Sequence, residues 1–144
     1  MMLRQYYITI FFVLFYGAGH AQPTIPSVKL NYFVTTPPVI DGCEGDYTYD
    51  TTALKTKMYI FITNLQGLGL IRVNGKTISL QRVSQSQPAK NMSKEIYKGS
   101  GYTLIIVTKE GRPSGDEGNF ETGSLELKYG SEDILYKIHG SAGC

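Results

Sequence analysis

The chain has 144 residues, of which 42% are hydrophobic and 18% charged, with a formal net charge of +2. That balance, with no run of like charges, excludes the basic clustering expected of a nucleic-acid partner. The length suits one domain.

The first residues carry a targeting pattern. Arg4 precedes a short apolar core, Ile8–Phe15, and Gly19 and Ala21 then supply the small residues a signal peptidase needs. Residues 1–21 are therefore expected to be a cleaved secretory signal, leaving Gln22 first in the mature chain. The apolar stretch is too short to span a bilayer comfortably, and no cysteine follows it to carry a lipid. A soluble periplasmic or secreted protein is expected, with no stable membrane insertion. Loss of Arg4 lowers the formal charge from +2 to +1.

Residues 22–42 hold Pro23, Pro26, Pro37 and Pro38. Proline removes a backbone donor and favours extended chain. This segment reads as a leader or linker with one edge strand over residues 29–34, and the compact domain is expected to run from 43 to 144. Strand signals then dominate. Residues 57–63, "KMYIFIT", are rich in β-branched and aromatic types. Asn74-Gly75 lies between two such runs and suits a type I′ hairpin turn, which would set Val73 opposite Lys76 and Ile71 opposite Ile78. "YTLIIVT", 102–108, predicts a buried strand. "SLELKY" and "ILYKIH" alternate with period two, as a sheet with one wet face requires. No amphipathic helix is convincing, and "ALKTKMYI" offers one turn at most. Longer connections are expected over 84–93 and 111–118. The fold class is all-β: a small antiparallel barrel or sandwich of about six to eight strands.

Two cysteines follow the signal, Cys43 and Cys144, and export places them where disulfides form. The alternative is a reactive or metal-binding thiol pair, which no nearby histidine supports. Groups for catalysis are sparse. His139 stands alone after cleavage, on an alternating strand, where a solvated position is expected. No serine occupies a G-x-S-x-G elbow, and the glycines of "GLGLIRVNG" do not form a phosphate cradle. Asp41, Glu44, Asp46 and Asp50 cluster around Cys43, but their spacing is not that of an EF-hand. Asp116, Glu117 and Glu121 read as a surface turn. No catalytic residue, metal site or cofactor is expected, and a binding protein is favoured over an enzyme.

The order of "VNGKTISLQRVSQS" and "SKEIYKGSGYT" resembles the membrane-bound inhibitors of c-type lysozyme. Asn74-Gly75-Lys76 matches that family's turn, and Leu80, Arg82 and Val83 match the stretch after it. Ser93 and Tyr97 have the motif's serine-to-tyrosine spacing, and Tyr102-Thr103 opens the next strand. Lys94 replaces the glycine usual after the motif serine, and the lipid-bearing cysteine is missing. The resemblance covers about thirty residues, 73–103, with Cys43 and Cys144 placed as that family's closing disulfide. It implies a small barrel that inserts a Ser/Tyr loop into a lysozyme cleft. Ser93 would then offer its hydroxyl to catalytic carboxylates, Tyr97 would brace the loop, and Lys94, Lys109 or Arg112 would supply a cation, with Tyr102 beside them. Two other expectations stand beside it: a carbohydrate- or surface-binding module using exposed Tyr47, Tyr49 and Tyr59, and a structural part of an envelope assembly.

Overall fold

A computed structural model describes residues 27–115 and 118–144. The expected signal peptide, the first residues of the leader, Asp116 and Glu117 lie outside the described residues. The chain forms a closed eight-stranded barrel in which every strand pairs antiparallel with the next, and the last returns to the first. The strands are β1 (Glu44–Thr48), β2 (Phe61–Thr63), β3 (Leu68–Val73), β4 (Lys76–Ser86), β5 (Met92–Gly99), β6 (Tyr102–Pro113), β7 (Gly118–Tyr129) and β8 (Glu132–Gly143). Closure removes the exposed edges that an open sheet would leave.

The hairpin at Asn74-Gly75 forms as its dihedral preference dictates. Both residues have positive φ, 48° and 83°, and Val73 pairs with Lys76 and Ile71 with Ile78. Ser100-Gly101 repeats the device between β5 and β6, with φ of 51° and 81°. The period-two pattern of the last strands is also observed. Leu125, Leu127 and Ile138 are buried, while Leu135, on the opposite face, is 70% exposed. Gly69 leaves room for two rings, because a Cβ there would come within 2.7 Å of Phe61 and 2.9 Å of Tyr97.

Three features differ from the expectations. A short helix does form, α1 (Thr51–Lys55), because Asp50 caps it by accepting a 2.6 Å hydrogen bond from the Ala53 N–H. The helix ends at its C-cap, Thr56, and Lys57 then turns the chain with a φ of 56°, so only 61–63 of the expected 57–63 strand joins the sheet. The expected long connections are largely strand, since β4 reaches Ser86, β5 starts at Met92, and β6 runs on to Pro113.

The third difference is the proline-rich segment, which from Ser27 is packed structure and not a linker. Val28 and Leu30 belong to the main core with Leu104, Leu125 and Leu127. Phe33 and Ile40 form a second cluster with Tyr59, Ile62 and Leu70. Backbone pairing fixes the path, through Asn31 N–H to Arg72 O at 2.7 Å and Phe33 N–H to Tyr59 O at 2.7 Å. Glu132 accepts from the Val28 N–H at 3.0 Å and from the Ser27 hydroxyl. Its spaced apolar residues supply the anchor. This strap crosses the barrel end that holds the 74–75 and 130–131 turns, and its apolar side chains plug it.

At the opposite end, Cys43 and Cys144 are disulfide-bonded. The bond sits where β1 meets β8, beside the Glu44–Gly143 pair. It therefore locks the seam that closes the barrel. Among the described residues no helix is long and apolar enough to cross a membrane.

Candidate functional site: the open mouth of the barrel

With one end plugged, the other opens into a cavity of about 530 Å³ lined by Tyr47, Ser93, Glu95, Thr108, Glu110 and Glu121 among others. The same alternation that builds the core builds this mouth. Along β6 the inward side chains run Leu104, Ile106, Thr108 and then Glu110, passing from fully buried to exposed. Along β5 they run Tyr97, Glu95, Ser93 towards the same end. On β7, Leu125 is followed outward by Gly123 and Glu121. Apolar residues fill the lower barrel and oxygen-bearing ones take over above it.

Two hydrogen-bonded groups organise the transition. Tyr97 is completely buried; its hydroxyl donates to Glu95 Oε2 at 2.5 Å and lies 3.1 Å from Thr63 Oγ1. Arg82 donates to the same Glu95 oxygen at 3.1 Å, forming a half-buried ion pair. On the other wall the Tyr47 hydroxyl donates to Glu121 Oε2 at 2.8 Å. Burial, reinforced by the neighbouring carboxylates, pushes the Tyr47 and Tyr97 phenols above their ordinary range, so both remain donors. Burial also raises the Glu121 carboxyl, with the charges of Glu110 and Glu95 acting in the same direction. Arg82 neutralises Glu95, whereas Glu110 and Glu121 have no ion-pair partner among the described residues. The mouth is thus rich in acceptors and carries negative charge.

The sequence-predicted site residues are dispersed by this geometry. Ser93 is not at a loop tip. It lies within β5 opposite Thr108, half-buried and facing the mouth, because the β4–β5 connection is only residues 87–91. Tyr97 is core, not a brace on a loop. Lys94 and Lys109 are exposed on the outer wall of β5 and β6. Arg112 lies outside as well, its guanidinium 5.2 Å from the Phe120 ring centre. Tyr102 is at the far, plugged end, stacked on Tyr129 with centroids 4.3 Å apart. No protruding Ser/Tyr finger exists in the described structure.

The tyrosines expected to be exposed are likewise internal. Tyr47 and Tyr59 are 5% and 8% exposed, and Tyr49 is half-buried between Tyr32 and Tyr136. Asp50 is committed to the α1 cap and accepts from the Tyr32 hydroxyl at 2.9 Å. His139 is half-buried on the outer wall, beside a groove between α1 and β7. Sequence reasoning missed Glu95 and Glu110, took Tyr47 as an exposed ring and read Glu121 as a surface turn, whereas Glu121 lies within β7 and all four line the mouth. A signal was present: Glu95 and Glu110 fall on the inward register that Tyr97, Leu104 and Ile106 begin as core.

Comparison with known protein families, with curated proteins and with solved structures gives no match to this chain.

Proposed function

We propose that the protein is a binding barrel whose mouth takes a small polyhydroxylated ligand of the carbohydrate class. The supporting observation is the cavity of about 530 Å³ above a plugged core, a size within the usual span of small-ligand sites. Its lining suits hydroxyl donors. Glu95, Glu110 and Glu121 are acceptors, and hydrogen bonds to ionised acceptors are about twice as strong as neutral ones. Ser93, Thr108 and Asn91 can either give or accept around them. The strand frame holds these groups in place before binding, which lowers the ordering cost. Action outside the cytoplasm belongs to the same proposal and agrees with the disulfide.

Inhibition of a c-type lysozyme is a second proposal, supported by the exposed cations Lys94, Lys109 and Arg112 around the outside of the same end. Positive groups suit a carboxylate-bearing cleft. Contact would then run through the outer wall, because Ser93 stands among carboxylates that would repel such a cleft.

A panel of neutral and amino sugars tested by calorimetry distinguishes the two. A sugar should bind the mouth and lose at least about tenfold affinity on Glu110→Gln, an exposed position that leaves the core intact. Titration into lysozyme activity should instead respond to Lys94→Glu and Lys109→Glu. Absence of sugar binding, or binding indifferent to Glu110→Gln and Glu121→Gln, overturns the first proposal. Unchanged lysozyme activity at large molar excess overturns the second.

A further inference from the structure

The outer wall of the barrel carries a second recess, of about 460 Å³, between α1 and strands β7 and β8. That volume falls within the usual span of small-ligand sites. α1, held by its Asp50 cap, packs against β1 and β8 and forms one side of the recess with Leu54 and Lys55. Phe120 and Thr122 of β7 and His139 of β8 line the other side. Thr122 and His139 are register partners, and Phe120 shares the face of Thr122. A bulge in β6 completes the wall. Glu110 pairs with Glu121 and Pro113 with Asn119, so Gly111 and Arg112 together oppose Phe120. Gly111 suits this spot, because a Cβ there would meet the Phe120 carbonyl at 3.1 Å. Bulges re-aim side chains, and this one brings the Arg112 guanidinium 5.2 Å from the Phe120 ring centre.

The chemistry of this recess is the reverse of the mouth's. Its floor is apolar, while Lys55 and Arg112 at its rim are exposed and have no ion-pair partner among the described residues. Two carboxylates stand nearby, and both are engaged elsewhere. Glu121 borders the recess, but its carboxylate accepts from the Tyr47 hydroxyl on the mouth side of β7. Asp50, close enough to His139 to feel its charge, is held by the Ala53 N–H and the Tyr32 hydroxyl. An apolar body ending in an anion satisfies both floor and rim, whereas a sugar satisfies neither. None of the large apolar side chains exposed elsewhere, Val34, Val39, Val83, Tyr129 and Leu135, lines the recess. Among the described residues nothing projects from this wall to enter a bilayer, so a detached single-chain ligand suits it better than a membrane surface.

We infer that the recess between α1 and β7 binds a free medium-chain fatty carboxylate, its tail against Phe120 and Leu54 and its carboxylate held by Arg112 and Lys55. A guanidinium can give a carboxylate two parallel N–H donors while keeping contact with an aromatic ring. The recess and the mouth lie on opposite sides of β7, so the occupation of one leaves the other free.

The test is calorimetric titration of the purified protein with hexanoate, octanoate and decanoate below micelle formation. Acetate and octanol are the controls that lack the tail or the charge. Affinity should rise about fourfold for each added methylene. Acetate should not bind, and octanol should bind at least about tenfold more weakly than octanoate. Arg112→Gln, at an exposed position, should weaken octanoate binding at least about fivefold. Lys98→Gln removes the same charge from an exposed position on β5, across the barrel, and should change nothing. The chain contains no tryptophan, so Phe120→Trp places a single reporter in the floor, and its emission should shift to the blue as octanoate covers it. Octanoate binding that is absent, no tighter than acetate, or indifferent to Arg112→Gln would overturn the inference. Binding to phosphatidylglycerol vesicles without binding of free octanoate would give the recess to a membrane surface and overturn it. Self-association abolished by Arg112→Gln, again without octanoate binding, would give it to a second copy of the chain and overturn it too.

Discussion

Replacing Tyr97 by phenylalanine separates a core tyrosine from a loop tyrosine. The ring is fully buried and packs edge-on against Phe61 with centroids 5.2 Å apart, so a phenylalanine in its place would leave no cavity. What is lost is one hydroxyl, with its 2.5 Å bond to Glu95 and its 3.1 Å approach to Thr63. A hydrogen bond to a charged group contributes about 1.5–3 kcal/mol. The remaining partners decide where in that range the loss falls. Glu95 Oε2 keeps the Arg82 donor at 3.1 Å, and the Thr63 hydroxyl keeps its 2.8 Å bond to the Leu68 carbonyl. No buried group is orphaned, so the cost should lie near the low end, about 1.5–2 kcal/mol. Tyr97→Ala, which also opens a void, should cost about 3–5 kcal/mol. Ser93→Ala should cost under about 0.5 kcal/mol, because Ser93 Oγ stands 3.5 Å from Glu95, at the limit of a hydrogen bond. Urea unfolding with a common m-value measures all three. A Tyr97→Phe protein within about 0.5 kcal/mol of wild type would refute the buried network and restore an exposed loop position.

The disulfide closes a loop spanning 101 residues of sequence separation, for which the chain-entropy relation gives about 4.7 kcal/mol. Cys43→Ala/Cys144→Ala should therefore remove a large part of a typical domain's stability and speed amide exchange first in β1 and β8. A loss below about 1 kcal/mol in urea would show that the backbone pairing of β1 with β8, not the bond, holds the seam. Glu121 should make stability depend on pH. Its carboxyl is raised chiefly by burial, so the folded protein holds that proton to higher pH than the unfolded chain does. Stability from this group is fully present below the ordinary glutamate range near about pH 4.3 and is lost as pH rises through the raised value. Glu121→Gln keeps an acceptor for Tyr47 and should be more stable than wild type at neutral pH, the difference vanishing in acid. A difference that grew towards acid would contradict the assignment.

Local chemistry made the turn at Asn74-Gly75 and the register around it legible, since only a few residue pairs accept two positive φ values in succession. Alternation at Leu125, Leu127 and Ile138 fixed which face is core. Closure was not legible to the same degree, because pairing of β8 with β1 joins segments at opposite ends of the chain, and a sandwich uses the same strands. The strap was misread for a related reason. Proline content says that a segment is extended, and an edge strand was expected over 29–34, where Leu30 and Phe33 do form isolated bridges; but Val28, Leu30, Phe33 and Ile40 decide whether the segment packs, and past Leu30 their spacing follows no regular period.

The mouth was hidden by the habit of equating an inward position with an apolar one. In Ser93–Tyr97 polar residues occupy both faces, which reads as loop when each residue is judged alone. Judged by register, Tyr97, Glu95 and Ser93 share one face with the buried Ile106 and Leu104 of the facing strand. A face that keeps period two while changing from leucine to glutamate has not left the sheet. It has left the core, and the point of change marks the depth at which the barrel stops being packed and opens into the cavity. On β6 that point lies between Ile106 and Glu110, and on β7 between Leu125 and Glu121. Because the two strands are paired with Ile106 opposite Leu125 and Glu110 opposite Glu121, both changes occur at the same level. Two strands turning polar at one depth is what a cavity floor requires, and an accidental surface charge would have no reason to observe it.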